Sequence, residues 1–251
     1  MYDQPATTTK HRKPVEVAVY TIRNVLLHNK LVRRVKADPW KIVYRDITNG
    51  RGPFALRMLV YSDSSLANVV GGRSQQGQVY ALTNTDPTTL HGSGPDVNIA
   101  ISPLAWRSGR STRVAASSFA AETLSLHRAV DEAVHLRRVV EHILQRSIPC
   151  HVVTDHLGAL QCVRSIAPDP TEKRMLPFLY SLKETLDRGE VSTLSFVPSD
   201  RNVAGLLTRH HGRHDQLRDM MMFAHAVLPG SGTTSAKKRK AEASKKYRFL
   251  L

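Results

Sequence analysis

The sequence contains few cysteines, few acidic side chains and no long apolar segment. Cys150 and Cys162 are the two cysteines in 251 residues. They provide no disulfide framework, and their spacing fits no zinc site. No apolar run approaches the length of a membrane span, and the N-terminus lacks the apolar region of a signal peptide. We therefore expect a soluble intracellular protein, cytoplasmic or nuclear, with no membrane partner.

The shortage of acidic residues leaves a strongly basic chain. Lys and Arg number 36 against 21 Asp and Glu, which gives a formal charge of +15 and a pI near 10.2. This excess favours a polyanionic partner such as nucleic acid; the alternative is a basic surface kept for solubility. A hydrophobic content of 41% is sufficient for a buried core.

The two ends of the chain differ from its middle. Residues 1–14 are polar and predict a disordered N-terminus. Val15, Val19, Ile22 and Leu26 then recur at helical spacing, within a segment 15–52 that precedes the main domain. We place that domain at 53–215, followed at 216–251 by a helical end and a flexible basic tail. The tail contains one basic run, formed by Lys237, Lys238, Arg239 and Lys240. This run is a candidate nuclear localisation signal or nucleic-acid arm, and the alternative is a solvated basic segment.

The middle of the chain alternates strand and helix patterns. Residues 55–63, 77–83 and 97–101 predict three strands in an antiparallel meander. A long helix follows, with Ser117 or Ser118 as its N-cap and an inward apolar stripe through Leu126, Ala129, Ala133, Leu136, Val140 and Ile143. Further strands at 151–155 and 191–197 alternate with helices at 157–164, 175–188 and 203–208. This order predicts a mixed sheet covered by helices.

Three acidic residues stand where predicted strands end or a helix begins. Asp63 and Asp155 close two strands, and Glu122 lies near the start of the long helix on its inward stripe. Carboxylates gathered at one edge of a sheet are what a protein needs to hold divalent cations against a phosphodiester. For Glu122 the alternative is an acid in the first helical turn that stabilises the helix dipole.

Arginines are concentrated just before the long helix. Arg107, Arg110 and Arg113 are close enough in sequence to that helix to meet phosphates near the three acids. Each phosphate so neutralised would steepen the salt dependence of binding. The alternative is an exposed, solvated turn.

Several of these segments together resemble the ribonuclease H domain of copia-type retrotransposon polyproteins. Residues 103–118, PLAWRSGRSTRVAASS, match the family pattern of Pro-x-x-Trp, a basic turn, Val-Ala and paired serines. Glu122 falls on the second, catalytic glutamate of the family block that follows. YSDS at 61–64 is similar to the Tyr-Ser-Asp-Ala that carries the first catalytic aspartate, and DHLGA at 155–159 to the Asp-Asn-x-x-Ala that carries the third.

The resemblance spans about residues 20–210 and implies a fold, a chemistry and a partner. The implied fold is α/β and ribonuclease H-like, with a five-stranded mixed sheet flanked by helices, preceded by a connection segment. The implied reaction is two-metal hydrolysis of the RNA strand of RNA–DNA hybrids with Mg²⁺, or Mn²⁺. Asp63 would bridge both ions, Glu122 and Asp155 would hold the ion at the leaving group, and Ser64 and His156 would contact substrate. The chain has no polymerase Tyr-x-Asp-Asp motif, so its partners would include the rest of a reverse transcriptase polyprotein, unless it is a stand-alone descendant.

One departure from the family pattern limits the expected activity. Residues 197–209 align with the family's final block, whose aspartate supplies the fourth metal ligand, and this chain has Gly205 there. Asp200 lies five positions earlier and is a weak candidate for a substitute. Arg174 also stands where the family commonly has histidine. We therefore expect either an impaired nuclease, a hybrid-binding module that no longer cuts, or a decayed retroelement fragment.

Overall fold

A computed structural model of the protein describes residues 22–37, 39, 41–44, 46–47, 56–69, 71–86, 97–165, 172–209 and 215–228. The predicted disordered N-terminus and the basic run 237–240 lie outside these residues. The chain divides into two compact units, Met1–Trp40 and Lys41–Leu251.

The first unit contains helix α1 (Ile22–Ala37). Of the stripe predicted for this segment, Ile22 and Leu26 belong to the helix and are exposed. Val15 and Val19 lie outside the described residues. None of the helices in the described part of the chain is long and apolar enough to cross a membrane.

The second unit is built on one mixed sheet. Its strands are β1 (Arg57–Val69), β2 (Arg73–Thr83), β3 (Val97–Arg110), β4 (Cys150–Thr154), β5 (Thr193–Phe196) and β6 (His225–Leu228). They lie in the order β5-β4-β1-β2-β3-β6. The first three strands form the predicted antiparallel meander. Strand β4 runs parallel to both β1 and β5, and β6 is antiparallel to β3.

Helices cover both faces of this sheet because side chains of a strand alternate between its faces. One face carries α2 (Ser118–Leu144), α3 (Leu157–Arg164) and α4 (Leu176–Asp187), which pack on Met58, Val60 and their neighbours. The other face carries the 3₁₀ helix η1 (Val203–Leu207) and α5 (Asp215–Phe223), which pack on Leu59, Tyr61 and their neighbours. The mixed sheet covered by helices is therefore confirmed.

Four details of the predicted secondary structure are wrong, and each has a physical reason. The sheet has six strands rather than five, because β6 is too short to stand out in the sequence. Strand β1 does not end at Asp63 but continues to Val69, where it is less buried yet still paired with β2. Strand β3 likewise extends to Arg110, which pairs with Gln75. The closing helix at Val203–Leu207 is 3₁₀ rather than α.

A glycine in β2 allows η1 to approach the sheet closely. A Cβ atom on Gly77 would lie 2.6 Å from the Ala204 carbonyl oxygen and 2.9 Å from side-chain atoms of Leu207 and Thr208. Real Cβ contacts are never that short, so only glycine fits beneath the 3₁₀ helix at this position. Gly77 pairs with Asp63 in the neighbouring strand. The close approach therefore brings η1 beside Asp63.

Candidate metal centre

The fold brings the three predicted acids together. Asp63 lies within β1, Glu122 in the second turn of α2, and Asp155 directly after β4. Each offers one carboxylate oxygen, and these oxygens all lie within 4.8 Å of one another. The predicted convergence is confirmed. Asp63 is only 2% exposed, so its carboxylate contacts mainly protein atoms rather than solvent.

Helix α2 presents Glu122 to the cluster because its start is fixed. Ser117 is the N-cap, and its hydroxyl accepts a hydrogen bond from the Ala120 N–H at 3.1 Å. One turn beyond Glu122, the Ser125 hydroxyl donates to the Asp63 carbonyl oxygen at 2.7 Å and ties the helix to β1. The first turn of α2 contains no acidic residue. The alternative in which Glu122 stabilises the helix dipole from the first turn is therefore wrong.

Crowding of the carboxylates in a buried place changes their protonation. Burial raises the pKa of Glu122 to about 9, and the charges of Asp63 and Asp155 add to the rise. Burial also raises the pKa of Asp63 to about 6; the Thr208 hydroxyl lowers it and Asp155 raises it. Glu122 therefore keeps its proton at neutral pH, as expected for one of several carboxylates that share a site without a cation.

The 3₁₀ helix η1 supplies the fourth side of the cluster. A Cβ atom on Gly205 would lie 3.8 Å from Cγ, Oδ1 and Oδ2 of Asp63. The sequence alignment therefore places Gly205 correctly, beside the first aspartate. A side chain would fit there in ordinary van der Waals contact, since no positive φ angle occurs at this glycine. The position lacks an acid although the backbone has room for one.

Two polar residues around η1 were missed from the sequence. The Asn202 side-chain amide donates to the Ser62 carbonyl oxygen at 2.8 Å and to Asp155 Oδ1 at 3.1 Å. The Thr208 hydroxyl donates to Asp63 Oδ2. Asn202 could have been found as the N-cap of the closing helix, because its side chain accepts from the Ala204 N–H. Nothing local in the sequence indicates the contact of Thr208.

The cluster suits a divalent cation. All of its candidate ligands are carboxylate oxygens, the donors that Mg²⁺ and Mn²⁺ prefer. Among the described residues, Glu122 Oε2 is buried and accepts no hydrogen bond. A buried carboxylate oxygen without a partner is costly, and a cation bound by the three acids would supply that partner. The residues present therefore fit the cation that the sequence resemblance implies.

The residues predicted to contact substrate are spread around this cluster. Ser64 follows Asp63, and its buried hydroxyl oxygen has no hydrogen-bond partner among the described residues. His156 follows Asp155, and its ring packs edge-on against Phe119 with 5.2 Å between centroids; burial lowers its pKa.

The alternative of an exposed, solvated turn does not hold for two of the three arginines. Arg107 and Arg110 belong to strand β3, because the β2–β3 pairing continues into this basic segment. Arg107 forms an ion pair with Glu132 at 2.8 Å. Arg113 follows the strand, and its guanidinium carbon lies 4.9 Å from the ring centre of Phe178. Their contact with substrate stays a prediction.

No protein-family model matches the chain, and no curated protein matches it. The fold is ribonuclease H-like. It is recognised from three antiparallel strands, two parallel strands added beside the first, and helices on both faces.

Solved structures with a similar fold include LC11-RNase H1, isolated from compost, with 18% identity, a TM-score of 0.41, and coverage of 60% of this chain and 91% of that one. Another structure of LC11-RNase H1 contains an RNA/DNA hybrid. RNase H1 of the archaeon Halobacterium salinarum has 16% identity, a TM-score of 0.39, and coverage of 59% and 90%. A foamy viral protease-reverse transcriptase in complex with dsDNA has 12% identity, a TM-score of 0.38, and coverage of 71% and 95%.

Proposed function

We propose that this chain is a retrotransposon-derived ribonuclease H-like domain of copia type that acts on the RNA strand of RNA–DNA hybrids. The observation that carries the proposal is the meeting of Asp63, Glu122 and Asp155, whose oxygens lie within 4.8 Å of one another. The polyprotein origin rests on the sequence blocks at 61–64, 103–118 and 155–159. The domain works alone or beside the rest of a reverse transcriptase.

In this proposal the chain's own residues bind and orient, while a Mg²⁺ or Mn²⁺ ion supplies Lewis-acid stabilisation of phosphoryl oxygens and a more acidic bound water. Asp63, Glu122 and Asp155 hold the ion. Ser64 lies next to Asp63, and its buried hydroxyl without a partner among the described residues is available to contact substrate. Gly205 adds no ligand, which leaves the side of the site next to η1 without negative charge. Cleavage is therefore slow relative to a site with four acids.

The proposed substrate follows from charge and shape. A formal charge of +15 favours a polyanion. A-form-like duplexes are recognised by their backbone and 2′-hydroxyls rather than by base sequence. We therefore expect hybrid binding with little sequence preference. The hybrid bound to LC11-RNase H1 supports this choice of substrate.

The test of the enzymatic proposal is repair of the missing ligand. Gly205→Asp should raise Mg²⁺-dependent cleavage of an RNA–DNA hybrid at least about tenfold, equivalent to about 1.4 kcal/mol of barrier, because the new carboxylate would stand beside Asp63. Gly205→Asn is the matched control, with the same shape and no charge. Asp63→Asn should abolish any cleavage. Equal rates for the Asp and Asn variants would contradict the proposal.

The second candidate is a hybrid-binding module that no longer cuts, and Gly205 is the observation that favours it. Tight hybrid binding without cleavage in any divalent cation, in wild type and in Gly205→Asp, would support this module. In either case binding should depend on arginines. Arg110→Ala and Arg113→Ala should each reduce the slope of log affinity against log salt by about 1. Arg188→Ala is the control, since Arg188 pairs with Glu184 at the far end of α4.

A further inference from the structure

Each of the two aspartates in the cluster has one oxygen occupied by a neutral donor. Thr208 donates its hydroxyl hydrogen to Asp63 Oδ2. Asn202 donates an amide hydrogen to Asp155 Oδ1 at 3.1 Å. Glu122 Oε2, in contrast, is buried and accepts no hydrogen bond from the described residues. One oxygen of each of the three carboxylates lies within 4.8 Å of the other two, so the three acids define one shared space.

These two donors are buried. Asn202 and Thr208 are each 2% exposed. The Asn202 amide also donates to the Ser62 carbonyl oxygen at 2.8 Å, and its oxygen accepts from the Ala204 N–H. The Thr208 carbonyl oxygen accepts from Asn68 Nδ2 at 2.8 Å. Turning the Asn202 side chain away would leave buried polar groups unpaired, which costs about 1–3 kcal/mol per group. The Thr208 hydroxyl can turn from Asp63 to the Gly205 carbonyl oxygen, which lies 3.1 Å away.

The Thr208 hydroxyl lies on the side of Asp63 where the fourth ligand is missing. Its oxygen is 3.1 Å from the Gly205 carbonyl oxygen as well as bonded to Asp63. A carboxylate oxygen has two lone-pair directions, so one hydrogen bond does not alone exclude a cation. Here, however, the Thr208 hydroxyl group is within hydrogen-bond distance of both Asp63 Oδ2 and the Gly205 carbonyl oxygen. A second cation beside them would have to displace this hydroxyl from Asp63 and would gain no carboxylate from Gly205.

We infer that the centre holds one divalent cation rather than two, and that Thr208 and Asn202 are positioning residues that set this number. The inference rests on the proposed function and specifies how its site differs from the two-ion arrangement that the sequence resemblance implies. Thr208 holds Asp63 through Oδ2, and Asn202 holds Asp155 through Oδ1. The site therefore presents three carboxylates to one ion.

The test counts bound ions directly, on the full chain, with Mn²⁺ as the probe and the EPR signal of free Mn²⁺ as the readout. The wild type should bind one Mn²⁺ per chain. The double variant Gly205→Asp/Thr208→Val should bind two, since it adds a carboxylate and replaces the hydroxyl by a methyl group of similar size. The matched control Gly205→Asp/Thr208→Ser keeps the hydroxyl, and its second Mn²⁺ should bind at least about tenfold more weakly.

The possible outcomes separate this inference from the proposed function. Two Mn²⁺ ions in the wild type, abolished by Asp63→Asn, would overturn the single-ion inference and leave the proposed function standing. No Mn²⁺ bound by the wild type would overturn both. Equal affinities for the second ion in the Val and Ser variants would overturn the role of Thr208. If the Val variant fails to fold by circular dichroism, the wild-type count and Gly205→Asp/Thr208→Ser still decide the number of ions.

Discussion

On one side of Asp63 lie two further carboxylates, whereas on the other side lie a glycine, an amide and a hydroxyl. The acidic side, formed by β4 and α2, carries Asp155 and Glu122 and has room for a cation between them. The η1 side carries Asn202, Gly205 and Thr208 in the same close contact with the sheet. Both sides therefore contact Asp63 closely, but only the acidic side carries negative charge. A fold can retain the backbone conformation at a metal-ligand position even when the residue there has no coordinating side chain.

The largest effect should come from breaking the acidic side. Asp155→Asn should weaken Mn²⁺ binding at least about 100-fold. Mutation of a residue that only orients a metal ligand already lowers metal affinity about 10- to 100-fold, and Asp155 is a ligand itself. Asp200→Asn is the matched control. Asp200 is 70% exposed and lies 3.9 Å from Arg201, so its removal should leave affinity unchanged. A similar loss in both variants would mean that η1 does receive an acid, from Asp200.

The acidic side should also make the metal-free protein sensitive to pH. Glu122 has a pKa near 9 when folded against an ordinary 4.5, and Asp63 about 6 against 3.8. Because both pKa values are raised on folding, the folded state binds protons more tightly than the unfolded state. Their contribution to stability is complete below about pH 4 and is lost as pH rises, by at most about 1.4 kcal/mol per pH unit for each group.

Urea unfolding in EDTA between pH 5 and pH 8 measures this dependence. Above pH 6 the fall in the free energy of unfolding should come from Glu122, so Glu122→Gln should remove it. Mg²⁺ at pH 8 should restore stability to the wild type, since a ligand that binds only the folded state stabilises it. A variant with the same slope as wild type would show that Glu122 is charged in the free site.

The η1 side depends on how closely this helix approaches the sheet. Gly77→Ala would place a Cβ atom 2.6 Å from the Ala204 carbonyl oxygen. It should lower the free energy of unfolding by about 1–3 kcal/mol as η1 moves away. Gly205→Ala is the contrast, because its Cβ would lie 3.8 Å from Asp63, and it should change stability by less than about 1 kcal/mol. Equal effects at the two glycines would mean that η1 does not pack as described.

The acidic side could be predicted from the sequence and the η1 side only in part. Asp63, Glu122 and Asp155 each follow or join a run of apolar residues whose period identifies a strand or a helix. Gly205 was placed by alignment of a motif. Thr208 and Asn202 could not be placed, because their decisive contacts join residues 145 and 140 positions apart. Local periodicity contains no information on such pairs.

The strands show a similar difference: their buried segments could be predicted, whereas the segments held by backbone hydrogen bonds could not. Apolar patterns predicted the buried halves of β1 and β3, but not their continuation to Val69 and Arg110. Those parts are held by hydrogen bonds to β2, and backbone pairing leaves little trace in residue type. The strand conformation of Arg107 and Arg110 was consequently not predicted. Strand β6, with four residues, is too short for a period to be read.

The smallest effect should separate the two tasks of Asn202, which caps η1 and also holds Asp155. Asn202→Ser keeps a capping oxygen for the Ala204 N–H, since serine is a good N-cap, but it removes the amide that donates to Asp155. Affinity for Mn²⁺ should fall about tenfold while η1 stays in place. Asn202→Ala removes both the helix cap and the hydrogen bond to Asp155, so it should also reduce the free energy of unfolding, by about 1 kcal/mol. If serine preserves full Mn²⁺ affinity, then β4 alone positions Asp155 and the Asn202 amide does not contribute to ion binding.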